Sequence, residues 1–457
     1  MRQKTLLETL AEFAIHLRFE DLPSNVVSKA NDCFFDLVGC YFAALKLDKN
    51  KKLLSKIRSF NPTPEISLWG YGEKCGIAEA ALAIGTLAYD LEYDDGISES
   101  GHWGSASIPA SFLAVQKNGG NGKDLLSAIV AAYEVGTRIS RLFSPQLLKK
   151  HVHFPCTMGA FAAATGYAKG VDAASIELTG ALSLAGLFPI GTYSTAISGA
   201  SGKALYSGWP NYLGINVVRL STIGLAGDSD ILENTNGFST ALSLGLLTDV
   251  MKRQATEKLG QDYRFMEVYF KPYPCCRWLH APISTALKLV HENNISINEI
   301  ENITVYGPEF SMMYNTHEGF ESKVTCQYSI PYSVGAAIFY DELGLDQYEL
   351  EARTNSELKK FINCIEMKVE QGTKTVSEKG FRVALQLKKG GSIGATAEMP
   401  WSPQNPPKKD ELIKKFNSLT KGILSPEEQS AWNSIYKEGF EKDNSFDNVI
   451  SLLMRKK

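Results

Sequence analysis

The 457-residue chain is predicted to be mostly α, with a smaller α+β domain inserted late, and three observations lead there. Apolar residues recur at helical spacing through roughly the first 260 positions. The texture changes to strand-like alternation near residue 263 and returns to helix after residue 405. A chain of this length exceeds what one hydrophobic core usually serves. The reading is therefore a helical domain from residues 1–262 together with 405–457, and an α+β lid domain from 263–404.

Each element follows in order. "MRQKTLLETLAEFAIHLRF" is amphipathic and carries Glu8 and Glu12, so it lacks the unbroken apolar run of a secretory leader. "SNVVSKANDCFFDLVGCYFAALKL" opens with a Ser-Asn cap signal and continues at helical period. "GIAEAALAIGTLAYDLEY" and "GKDLLSAIVAAYEVGTRISRLF" repeat the pattern. So does "TMGAFAAATGYAKGVDAASIELTGALSLAG", where Gly170 and Val171 separate two helices. Abundant Ala and Gly let such helices approach closely. The glycines of "KNGGNGKD" follow a helix, which excludes a dinucleotide-binding loop. Later, "NITVYG" alternates as a strand and "SELKKFINCIEMKVEQ" reads as a helix running into a strand. "FRVALQLKKGGSIGATAEMP" is a hairpin joined by Lys-Gly-Gly. "PWSPQNPPKKDE" breaks regular structure, and "DELIKKFNSL" and "SPEEQSAWNSIYKEGF" resume helix, returning to the first domain.

Composition excludes several functions. A net charge of −3 provides no global positive field for nucleic acid or an anionic membrane. No segment reaches the ~18 uncharged apolar residues of a membrane span, so the cytoplasm is the expected compartment. Eight cysteines are too sparse for a disulfide scaffold, and no CxxC or HExxH occurs. His151 and His153 are the only close histidine pair, which leaves no clear third ligand. The expectation is a metal-free protein.

Four stretches carry candidate chemistry. In "LEYDDGISESGHWGSASIPA", Glu92, Asp94 and Asp95 precede His102, and small residues then start a helix whose free N–H groups favour an anion. His102 can shuttle a proton near neutral pH. In "HVHFPCTMGAF", His153 is as suited to capping the next helix as to touching a substrate. In "SGASGKALYSGWPNYLGI", Lys203 has no neighbouring carboxylate, which predicts a depressed pKa and a role as base or anion anchor; an ordinary surface lysine is the alternative. In "VYFKPYPCCRWLHAPI", prolines display Lys271, Arg277 and His280 rigidly. Arg277 can grip a carboxylate by two hydrogen bonds. Cys276 beside it is expected to have a lowered pKa, or else to be a core residue.

Together with "TCQYSIPYSVGAA" and "PWSPQNPPKKDELIKKF", these stretches make nearly the whole chain resemble the MmgE/PrpD family, which includes 2-methylcitrate dehydratases, cis-aconitate decarboxylases and iminodisuccinate epimerases. The resemblance implies a helical domain with an α+β lid, a homodimer, a site in the cleft between domains, and no cofactor. It implies that His102 is the family's active-site histidine, His153 that of the H-x-T segment, and Lys203 the lysine before the Gly-Trp turn. Lys271 opens the K-x-Y/F-P motif, and Glu92 stands where decarboxylases carry an aspartate. This chain departs from the decarboxylases in having Gly96 for a threonine and Cys276 for a histidine, and from the common His-Pro in having Trp103 after His102.

The expected site has His102, Lys203, Cys276 and His153 as catalytic residues, with Glu92, Asp94, Lys271, Arg277, His280 and Tyr332 binding a small polycarboxylate. The expected function is a cofactor-independent lyase, a dehydratase or decarboxylase that removes a proton next to a carboxylate. The alternatives are an epimerase or isomerase of an amino- or imino-dicarboxylate, and a catalytically inactive carboxylate-binding protein.

Overall fold

The computed structural model describes residues 3–188, 191–195, 200–370 and 380–455. Helices dominate them, and a mixed four-stranded sheet is confined to the second part of the chain.

The helical part begins with α1 (Leu6–His16), whose first turn is closed by a Thr5–Glu8 capping box. The central α2 (Ser24–Ala44) buries Phe34, Phe35 and Phe42 completely, and burying a ring of this size contributes about 1.5–3 kcal/mol. Next come α3 (Ile77–Tyr89), the two-residue β1 (Gly96–Ile97), α4 (Trp103–Lys117), α5 (Gly122–Lys149), α6 (Phe154–Gly170), α7 (Ser175–Gly186) and α8 (Leu205–Thr222). Helices α3, α4, α6 and α8 pack tightly together, as their small residues predict. A side chain at Gly208 of α8 would start 2.5 Å from the Leu82 carbonyl of α3, so only glycine allows this approach.

Two prolines interrupt this layer, at positions 109 and 210. Pro109 has no N–H to give the Ser105 carbonyl. The amide of Asn211 fills the gap: its Nδ2 donates to Ser105 O at 2.8 Å, and its Oδ1 accepts from Ala110 N at 3.0 Å. This clip ties the turn after His102 to the helix after Lys203.

The chain then enters β2 (Val268–Tyr269), which pairs antiparallel with β1, Gly96 opposite Tyr269 and Ile97 opposite Val268. The sheet lies beyond α9 (His280–Glu292). It comprises β3 (Ile300–Gly307), β4 (Ile365–Val369), β5 (Arg382–Leu387) and β6 (Ser392–Thr396), in the order β4-β3-β5-β6. The β3–β4 pair is parallel and the others antiparallel, and the expected hairpin is β5–β6. Helix α10 (Ile330–Tyr340) packs against α9 and supports the sheet from one side.

The chain ends in α11 (Lys409–Thr420), α12 (Pro426–Glu438) and α13 (Ser445–Met454). Phe35 of α2 stacks on Phe416 at 4.2 Å and on Tyr436 at 4.0 Å. Lys415 is buried, pairs with Asp36 at 2.7 Å and donates to the Tyr93 carbonyl at 2.8 Å. One apolar core thus gathers residues between 6 and 270 with those from 412 to 453, and a second gathers 275–397.

Candidate active site

The pairing of β1 with β2 sets Lys271 against the acidic loop. Its Nζ donates to the Glu92 carbonyl at 3.1 Å and to Glu92 Oε2 at 3.2 Å. Lys203, from the short 3-10 turn Ser201–Ala204 that leads into α8, forms a buried ion pair with Glu92 Oε1, and the Tyr328 hydroxyl donates to the same oxygen at 3.3 Å. Four segments remote in sequence therefore meet on one carboxylate. Glu92 has a left-handed backbone, φ 56°, an uncommon conformation for a non-glycine residue that surrounding contacts must sustain. Burial pushes its carboxyl upward, but Lys203 and Lys271 outweigh burial and hold it well below the usual carboxylate range. Burial pulls Lys271 downward, and Glu92 and Asp94 more than reverse this, so it stays charged.

Lys203 differs here from its sequence expectation. It has a carboxylate partner after all, 111 residues away in the chain, and it lies 4.7 Å from the centre of the Tyr89 ring. Ion pairing replaces the lone, desolvated amine expected from local composition.

His102 is the N-cap residue of α4. Its Nδ1 lies 2.8 Å from the Asp95 carbonyl, which can only accept, so Nδ1 carries the proton and Nε2 is the bare nitrogen of the neutral ring. Asp94 Oδ2 is 3.5 Å from the same Nδ1 and accepts from Ser105 Oγ at 2.6 Å. The start of α4 is not an open anion site as expected, because the chain's own carboxylates occupy it: Asp95 Oδ1 accepts from Gly104 N at 3.1 Å.

The Tyr133 hydroxyl donates to Asp95 Oδ2 at 2.6 Å. Burial raises the Asp95 carboxyl to about 7. A carboxyl raised above its unfolded value of 3.8 keeps a proton in the folded state that the unfolded chain has released. Its contribution to stability is full below the unfolded value and is lost as pH rises through about 7. Asp95→Asn is expected to flatten the fall in stability across that interval by up to about 1.4 kcal/mol per pH unit. Urea unfolding of both proteins at several pH values between 4 and 8 reads this directly; an unchanged slope would place the proton on another group.

His153 caps α6 and its Nδ1 accepts from Cys156 N at 3.3 Å, so its Nε2 carries the proton. Burial, with His102 and Lys203 nearby, holds its pKa well below the usual value and the ring neutral. It stacks on Tyr206 at 3.9 Å. The two histidines thus offer opposite functions at Nε2, an acceptor on His102 and a donor on His153.

Cys276 does not have the lowered pKa expected beside Arg277. Burial, reinforced by the charge of Glu92, pushes its thiol up to about 11. Arg277 donates to the carbonyls of Phe270 at 3.3 Å and Pro400 at 2.9 Å and lies 4.3 Å from the centre of the Tyr269 ring. It therefore joins the segment before Lys271 to the chain near residue 400. His280 Nε2 turns to the Cys275 carbonyl at 3.2 Å, and the Tyr332 hydroxyl turns to the Gln347 carbonyl at 2.6 Å within the second core. The structure thus brings together Glu92, Asp94, His102, His153, Lys203, Lys271 and Cys276, and directs Arg277, His280 and Tyr332 to backbone carbonyls. At Gly96, a β-carbon would start 2.5 Å from the Tyr269 hydroxyl, so the ring fills the space a threonine side chain needs.

Sequence reasoning missed the tyrosines. Tyr328, one turn before Tyr332 in the same motif, reaches Glu92, while Tyr89, Tyr193 and Tyr206 form a small apolar cluster with Cys156. Tyrosines at helix ends leave no periodic signal. Gln327 was also missed: its Nε2 donates to the carbonyls of Leu91 at 3.0 Å and Pro274 at 2.7 Å, linking both sides of the site.

Among the described residues, no group of three or more His, Cys, Asp or Glu is arranged to hold a metal ion, and no helix is long and apolar enough to cross a membrane. A surface cleft of about 620 Å³, bounded by Phe19, Asn31, Lys409 and Glu441 among others, shares no residue with this cluster.

Comparison with known proteins covers both parts of the chain. Residues 8–248 match the family model of the MmgE/PrpD N-terminal domain, and residues 273–438 that of the MmgE/PrpD C-terminal domain. A cis-aconitate decarboxylase from Aspergillus terreus (strain NIH 2624 / FGSC A1156) is 23% identical over 440 residues, which covers 91% of this chain and 89% of the relative. A second cis-aconitate decarboxylase from Aspergillus terreus is 22% identical over the same shares.

Proposed function

The chain belongs to the MmgE/PrpD family, and from that premise we propose that it is a lyase that removes a proton next to a carboxylate of a small polycarboxylate and expels a group from the neighbouring carbon. The observation that carries this reading is the convergence of Lys203 and Lys271 on Glu92, in a buried site shared with His102.

The chemistry follows from the protonation states. A proton next to a carboxylate is weakly acidic, because its removal builds negative charge on the carboxylate oxygens. Buried ammonium groups stabilise that charge more strongly than water does. Lys203 and Lys271 are the groups in position to do so. His102 is the base: Asp95 holds its Nδ1–H, which leaves Nε2 to take the proton. The His153 Nε2–H is the neutral donor to a substrate oxygen. In a dehydration the C–H and C–O bonds break, a C=C bond forms, and the departing hydroxide needs a proton. The Cys276 thiol, with a pKa of about 11, is a stronger acid than water and can supply it. No step in this scheme calls on a cofactor.

The same thiol supports a second reading. A protonated acid working with a histidine base can invert a carbon instead of eliminating from it, as an epimerase of amino- or imino-dicarboxylates would.

Proton NMR of a panel of di- and tricarboxylates in deuterated buffer separates the two. New vinyl protons are the expected result. Deuterium exchange at the α-carbon with no new compound would replace the lyase by the epimerase. Carboxylates that raise the melting temperature but never exchange or react would leave only a binding protein.

A further inference from the structure

The charges at the site are few and mutually engaged. Lys203 and Lys271 both pair with Glu92, so this buried triad sums to one positive charge. Asp94 adds a buried negative charge beside His102. His153 is held neutral, Cys276 keeps its proton, and Arg277 is engaged with two backbone carbonyls. We propose that Glu92 sets the substrate class of this site, restricting it to small dicarboxylates and turning away tricarboxylates.

This inference rests on the lyase reading above. A carboxylate drawn into a buried site loses its hydration and needs a counter-charge there. The net charge of the triad balances one substrate carboxylate, and a second has only the neutral His153 Nε2–H to meet it, Asp94 being turned to the His102 Nδ1–H. A third carboxylate would face the charges of Glu92 and Asp94 with Lys203 and Lys271 already committed to Glu92. Burial weakens screening by salt, so the penalty persists at ordinary ionic strength.

Isothermal titration calorimetry on the full chain tests this with two unreactive probes, succinate and tricarballylate. Wild type is expected to bind succinate at least roughly tenfold more tightly, the discrimination that one uncompensated charge readily supplies. Glu92→Gln frees one positive charge, so it is expected to tighten tricarballylate by roughly tenfold or more and to tighten succinate less. Because Glu92→Gln alters a buried ion pair, Cys276→His provides a second route by adding a cation that titrates. It is expected to shift preference the same way, more at pH 6 than at pH 8. Wild type binding tricarballylate as tightly as succinate, or folded variants that change both probes equally, would overturn the role of Glu92 and leave the lyase reading standing. Failure of both probes to bind any folded form at millimolar concentration would overturn the site itself, and this inference with it.

Discussion

His102→Ala is expected to lower kcat by about a thousandfold, within the ~10²–10⁴ that a positioned general base supplies, and to leave KM nearly unchanged. The split between constants follows from geometry. In the proposed mechanism substrate carboxylates are held by the ammonium groups of Lys203 and Lys271 on other segments, so ground-state binding is expected to survive loss of the imidazole. The proton that Nε2 accepts moves only in the transition state. Stability should change little, because the ring is partly exposed and its side chain makes no cap hydrogen bond to α4. What is lost is the bond to the Asp95 carbonyl, worth about 1 kcal/mol, or roughly 1 °C in melting temperature for a chain of 457 residues. Imidazole added to the alanine variant should restore part of the rate, since a small base can occupy the vacated space. A variant that keeps its activity, or that melts far lower, would make His102 a structural cap and move the base elsewhere.

Why His102 was legible in the sequence while other parts of the site were not is a matter of distance along the chain. An acidic loop, a histidine and a small-residue helix start are contiguous, so their relation is local. Helical period likewise marked α2, α3, α5 and α6, and strand alternation with Lys-Gly-Gly marked the β5–β6 hairpin. The pairing of β1 with β2 left no such trace. Two-residue strands cannot show alternation, yet this pairing brings Lys271 to Glu92. The environment of Lys203 was misread for the same reason, its partner being 111 residues away. In "TCQYSIPY" composition gave no ground for choosing between tyrosines. The start of α10 decides it by sending the Tyr332 hydroxyl to Gln347 and leaving Tyr328 to Glu92. For Cys276 a neighbouring arginine was the wrong guide, since burial and Glu92 govern the thiol.

Lys203→Met is the second variant with a large expected effect, and it separates what the buried triad does for catalysis from what it does for folding. Methionine fills similar space without charge, so loss of rate reports the ammonium group. The expected fall in kcat/KM is about a thousandfold, because in the proposed mechanism the lysine meets both the bound carboxylate and the charge that develops on it. Stability should fall as well, toward the lower end of the ~3–5 kcal/mol seen when one partner of a buried pair is removed, because Lys271 still faces Glu92. A carboxyl held below its ordinary value of 4.5 contributes stability above that pH and loses it as pH falls toward the folded pKa. The gap between wild type and Lys203→Met in urea unfolding should therefore be widest at pH 5 and above and close in stronger acid. Adding Glu92→Gln to Lys203→Met takes from the buried Lys271 its ion-pair partner, so the double variant should be less stable than the single one while staying inactive. Such a cycle isolates the pair energy from the rest of the site. A double variant more stable than the single one would instead make Glu92, not Lys271, the charge left uncompensated, with Lys271 and Tyr328 the next partners to replace in turn.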